Sequence, residues 1–161
     1  MSTRKHNRLF IFSLIIWCVN IVLILLSYLI YQVIIFMPVI FVVTIIPFGY
    51  FAIKMRRKQA FEWNPFLYNI PRAIKIAVAL SIAYTAINFA FNFYLLREGG
   101  PQIIDGVYCL WNHEFIREIT KEEYTKLQYA EARLFTGQLL IFSAIPMAYF
   151  SSSLDSEPAT P

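Results

Sequence analysis

Four polar residues, Ser81, Thr85, Asn88 and Asn92, stand inside the stretch 76–96, which carries no charge. At 100° per residue they fall within a sector of about 60° on one helix face. Hydroxyls and amides aligned this way in an apolar setting have two uses. They can bond one helix to another, or they can line a substrate or ion path. No Asp, Glu, Lys, Arg or His stands inside the long apolar runs, and coupled transport usually employs one, so helix packing is the favoured reading and a pathway the alternative. On the opposite face Ala79, Ala83, Ala86 and Ala90 form a small-xxx-small stripe of the kind that lets two backbones approach. A helix with both faces is expected in the middle of a bundle. Asn20, Thr44 and Gln138 are the polar partners that the other apolar runs offer.

A second group with chemical potential is Cys109, His113 and Glu114. One cysteine and one histidine fall short of the three or four ligands of a zinc site. A cysteine nucleophile needs a histidine facing it, whereas Asn112-His113 reads as a turn between two strands. Paired carboxylates, a Ser-His set and a metal cluster are absent from the sequence, so neither an enzyme nor a bound cofactor or metal is expected. Cys18 and Cys109 lie in unlike settings and are expected to be free thiols.

The elements that position these residues follow from composition. Of the 161 residues 58% are hydrophobic and 15% charged, with a mean hydropathy of +0.56. A soluble domain needs a fuller polar skin than this, so the class is membrane protein. The net charge of +4 is gathered beside apolar runs, which points to lipid and membrane orientation and away from nucleic acid. Residues 9–53 contain no charge; as one helix they would be roughly 67 Å long, about twice a hydrocarbon core, so they must turn back. The expected turn is near Tyr31 and Gln32. The expected fold is all-α, a four-helix transmembrane bundle in one domain, 1–161, with spans at about 9–30, 33–53, 74–96 and 134–152. Pro38 suits a helix start, while Pro47 and Pro146 are expected to bend their helices. The charged start MSTRKHNRLF precedes a run too long for a signal peptide, with no small-x-small site, and is expected to lead an uncleaved span.

Basic residues set the orientation. Arg4, Lys5 and Arg8 precede the first span, and Lys54, Arg56, Arg57, Lys58, Arg72 and Lys75 lie between the second and third. Residues 97–133 carry five basic residues against seven acidic ones. Both termini are therefore expected in the cytoplasm and 97–133 outside, in a bacterium on the oxidising periplasmic side. Phe61, Trp63, Phe66 and Tyr68, interleaved with the loop cations, suit the headgroup layer.

In the external segment, Gly99, Gly100 and Pro101 stop the third helix and Asp105-Gly106 makes a turn. VYCLW and EFIREI then read as a β-hairpin around Asn112-His113. Thr120 and Glu123 form a capping box for a helix that continues unbroken into the fourth span, with Glu122 placed to pair with Lys126. The exposed positions proposed to meet a partner are Trp111, His113, Arg117 and Tyr124.

The run DGVYCLWNHEFIREITKEEYTKLQYAEARLFTGQLLIFSAIPMAYF resembles the C-terminal half of small, uncharacterised bacterial integral membrane proteins. In these an Asp-Gly-x-Tyr strand, an Asn-His turn, an Ile-Arg-Glu-Ile strand and a Glu-Glu-Tyr helix precede the last span. Members often have Gly after the Asn-His turn, where this chain has Glu114, and Ser-Gly-His-Trp where it has Thr136, Gly137, Gln138 and Leu139. No role for a membrane-edge histidine carries over. The resemblance implies architecture and bacterial origin, and no reaction.

The function expected is that of a non-enzymatic, interaction or accessory protein of a bacterial inner membrane, meeting a membrane or periplasmic protein through its external segment. One version is an immunity protein of the kind that counters pore-forming bacteriocins, an analogy of architecture alone. The alternative is a small oligomeric transporter or channel built on the polar face of the third span.

Overall fold

The structure, a computed structural model, describes residues 3–57 and 69–152. Helices α1 (Thr3–Ser27) and α2 (Met37–Arg57) are joined through a 3-10 helix, Tyr31–Phe36. Helix α3 (Arg72–Leu95) leads into strands β1 (Gly100–Ile104), β2 (Val107–Trp111) and β3 (Phe115–Glu118), and α4 (Lys121–Ser152) closes the chain. All four α-helices are long and apolar enough to cross a bilayer. The aromatic-rich loop positions 58–68, with Phe61, Trp63, Phe66 and Tyr68, lie outside the described residues.

The first reversal comes immediately before Tyr31 and Gln32. Helix α1 ends at Ser27, whose hydroxyl donates to the Ile24 carbonyl at 2.7 Å, and Tyr28–Ile30 makes the turn. Tyr31 instead opens the 3-10 helix. Pro38 explains that helix in part: it has no N–H to give the Ile34 carbonyl, so the Met37 N–H supplies a tighter bond to the same oxygen. Pro38 then sits in the first turn of α2, as expected. Pro47 and Pro146 both lie within continuous helices, fully buried.

Helix α4 occupies the middle of the bundle, not α3. It packs against α1, α2 and α3, whereas no Cα of α3 comes within 8 Å of a Cα of α1 or α2. The reason is side-chain size. Ala130, Ala132, Gly137, Ala144 and Ala148 are all buried on α4 and leave room for three neighbours. The stripe Ala79, Ala83, Ala86 and Ala90 faces outward. Leu25, Val39, Leu80 and Ile87, each more than 60% exposed, belong to an apolar belt that only lipid or another protein covers favourably.

The segment between α3 and α4 holds a three-stranded antiparallel sheet in the order β1-β2-β3, where a two-stranded hairpin was expected. Asp105 and Gly106, with φ of 52° and 81°, make the two-residue turn that the flanking twist favours, pairing Ile104 with Val107. The additional strand is the run after Gly99, whose Gly-Pro start reads as a helix stop and not as an edge strand. His113 occupies positive φ, 64°, in the β2–β3 turn.

The sheet sits on the first turns of α4. Tyr108 packs its ring 4.9 Å from Tyr124, and Gln128 donates to the Pro101 carbonyl at 3.5 Å. The Thr120 hydroxyl accepts the Glu123 N–H at 3.1 Å, half of the expected capping box. The Glu123 carboxylate turns away to Arg117 of β3, at 2.5 and 3.2 Å, and Arg117 also reaches Glu98 at 3.4 Å. Glu122 and Lys126 form no ion pair.

The Arg117 guanidinium holds the Glu123 carboxyl below the usual glutamate range. A carboxyl lowered on folding stabilises at pH above its unfolded value and ceases to do so as pH falls through its folded one. The seating of the sheet on α4 is thus expected to be intact at neutrality and to loosen below about pH 4. With Trp17 and Trp63 replaced by Phe, Trp111 fluorescence should report that step, and Arg117→Gln should flatten it.

Candidate functional site

Ser81, Asn88 and Asn92 are buried and Thr85 is half-buried, so the polar face of α3 turns inward as a set. Each member has a partner. Trp17 Nε1 donates to the Ser81 hydroxyl at 3.0 Å, and Ser81 donates to the Ala77 carbonyl at 2.7 Å. Thr85 donates to the Gly137 carbonyl at 2.9 Å. Asn88 Nδ2 donates to the Arg133 carbonyl at 2.7 Å, Asn92 Nδ2 donates to Asn88 Oδ1 at 2.8 Å, and Arg133 Nε donates to Asn92 Oδ1 at 3.2 Å.

These last three bonds form a ring that leaves the Arg133 side chain, crosses both amides and returns to the Arg133 carbonyl. An amide facing apolar surroundings without partners costs several kcal/mol, and the ring avoids that for both asparagines. The ring requires close helix approach. A Cβ on Gly137 would overlap the Asn88 amide nitrogen, so glycine is needed there for space.

The polar residues expected as partners of this face go elsewhere. Asn20 Nδ2 reaches the Leu139 carbonyl at 3.2 Å, Ser143 at 3.1 Å and Thr44 at 3.5 Å, making a separate cluster where α1, α2 and α4 meet. Asn20 Oδ1 is buried there without a bond from any described residue, as is the Ser13 hydroxyl two helical turns back along α1. Gln138 faces an apolar groove of about 400 Å³ beside Met37, Phe41 and Phe142.

Sequence reading missed Arg133, Gly137 and Trp17. Two signals were available. Gly137 is the sole glycine in 134–152, and Arg133 stands one helical turn before it, the spacing at which Thr85 and Asn88 meet antiparallel carbonyls.

Around Arg133 the ring opens into space. Its guanidinium lies 5.2 Å from the ring centre of Tyr28, and the Tyr28 and Tyr84 hydroxyls are 3.5 Å apart. A cavity of about 230 Å³ runs between them along Asn88, Phe91 and Asn92.

In the head, the four expected contact residues divide. Trp111 and Tyr124 are half-buried, and burial raises the Tyr124 hydroxyl above its usual range. Arg117 is exposed but engaged with Glu123 and Glu98, which raise it further. His113 stands exposed on its turn, while Cys109 is 1% exposed, its thiol 3.6 Å from the Gln102 carbonyl. Both cysteines are free, and among the described residues no three His, Cys, Asp or Glu side chains gather. The exposed apolar positions are others: Ile103, Val107, Phe115 and Ile116. All four residues of β3 are exposed, on the open edge of the sheet.

Gly137→Ala should destabilise the chain by ~1–3 kcal/mol through overpacking, more than Asn88→Ala, whose lost bonds amount to about 0.6–1.7 kcal/mol. Because both variants act at one contact, the double variant should lose less than the sum, read by unfolding in mixed micelles. No protein-family model, curated protein or solved structure matches this chain.

Proposed function

We propose that the chain is a multi-pass protein of a bacterial inner membrane, with both termini cytoplasmic and the sheet-bearing head outside. Its role is that of an interaction or accessory protein, not an enzyme. An immunity-like protein that meets a toxin at the membrane is one form of this role. The distribution of basic residues beside the helices supports the orientation.

The observation that carries the reading is the β3 edge. Phe115 is 54% and Ile116 41% exposed, on opposite faces of a strand whose outer hydrogen-bonding edge pairs with no other strand among the described residues. Such an edge accepts an added strand from a partner: main-chain bonds supply affinity and the alternate side chains supply specificity. The charges of Arg117 and Glu118 on the same strand limit indiscriminate pairing. The transporter alternative has less support, because the polar face of α3 is occupied by bonds to α4 and Trp17.

A photoreactive residue at 115 should give one discrete adduct in intact cells, and the same residue at Ile82, in the apolar belt, should give none. Ile116→Lys should cut the adduct about tenfold, as loss of an anchoring side chain does. Identical adducts from both positions would sink the reading. Orientation is tested with His113→Cys, since Cys109 is buried: an impermeant maleimide should label the variant in intact cells. Flux that disappears on Asn88→Leu with assembly intact would favour the transporter.

A further inference from the structure

Charge ends on α4 at Arg133, because 134–152 contains no ionisable acid or base among Asp, Glu, Lys, Arg and His. Arg133 thus stands at the boundary between the head and the apolar belt. Its Nε is bonded to Asn92, its Cζ lies over the Tyr28 ring, and no carboxylate among the described residues pairs with it. Beside it α1 and α3 stand apart, and the cavity of about 230 Å³ fills the gap between them. A wider cavity of about 700 Å³ meets the first at Tyr28 and Arg133 and adds Lys121 and Lys126 against Glu122 alone. Toward the belt the cleft is bordered by Ile87 and Phe91, which are 71% and 60% exposed.

We infer that this cleft holds an anionic glycerophospholipid. The guanidinium nitrogens left over from the Asn92 bond take the phosphodiester oxygens, an arrangement for which a planar fork is suited. Lys121 and Lys126 supply the remaining positive field, and one acyl chain lies against Ile87 and Phe91. Three cations against one carboxylate favour a net negative headgroup over one carrying its own ammonium. The flanking apolar walls favour a lipid over a soluble phosphate, which would leave both side chains uncovered. The site is separate from the β3 edge and does not depend on which partner that edge takes.

Purified full-length chain, exposed to equal amounts of phosphatidylglycerol and phosphatidylcholine, should retain the former preferentially by native mass spectrometry. Arg133→Gln should lower that retention about fivefold, the factor corresponding to ~1 kcal/mol per cation near an anionic surface. Lys121→Gln with Lys126→Gln, which leaves the Asn88–Asn92 ring intact, should lower it at least as far and decides the matter if Arg133→Gln fails to fold. Glycerol 3-phosphate at the same concentration should not displace the lipid. Equal retention of both lipids, retention unchanged in the lysine variant, or displacement by glycerol 3-phosphate would each overturn the inference, the last pointing to a soluble anion.

Discussion

The contact between Asn88 and Gly137 is the constraint on which the rest of the molecule depends. The glycine removes the one atom that would keep α3 away from α4, and the space goes to an amide that must find partners in apolar surroundings. Once Asn88 bonds to the Arg133 carbonyl, the rotation of both helices is set, and Asn92 Nδ2 donates to both the side-chain and the backbone oxygen of Asn88. Arg133 follows, its side chain held on the α3 side at the level where α1 ends. Individually such bonds are worth about 0.6 kcal/mol, so they act less as a store of stability than as a choice of register.

The same helix that forms this seam also carries the head. Helix α4 is 32 residues long, roughly 48 Å at 1.5 Å per residue, and exceeds a hydrocarbon core by several turns. Those turns are where the sheet rests, through Tyr108 on Tyr124 and Gln128 on Pro101, with Arg117 bridging β3 to Glu123 of α4 and to Glu98 after α3. The sheet is therefore placed by a continuous helix and not by a flexible loop. A rigid mount lets an exposed strand such as β3 meet a partner with less ordering on association. Bundle and head are consequently one mechanical unit, tied at the ring below and at the arginine clamp above.

Much of this was legible in local chemistry. Uncharged length gave the four helices, Asp105-Gly106 the tight turn, Asn112-His113 the positive-φ position, and Thr120 the start of α4. What was illegible depends on more than one segment at a time. Strand β1 exists because VYCLW offers it an edge, and its own Gly-Pro start carries only the signal of a helix end. The alanine stripe of α3 and the scattered small residues of α4 look alike as candidates for close packing. Which set lies inside depends on how many neighbours each helix must accommodate, and α4 has three. Asn20 and Thr44 were readable as polar groups needing partners, but that Asn20 bonds to both Thr44 and Ser143 is a property of helix order.

Burying the polar face of α3 bears on what the molecule is built to do. A conducting path needs polar groups with capacity to spare along its length, whereas Asn88 and Asn92 have their amide groups engaged by each other and by Arg133. Apart from Asn20 Oδ1 and the Ser13 hydroxyl, spare capacity lies toward the ends of the structure. At the boundary, Arg133 keeps guanidinium nitrogens unused by Asn92 and opens on cavities lined by Lys121 and Lys126. In the head, β3 keeps a whole backbone edge. Along the α3–α4 seam the polar groups are satisfied, while Arg133 and β3 are held in place and still have bonds to make, which is the condition that specific recognition sets and a conducting path does not.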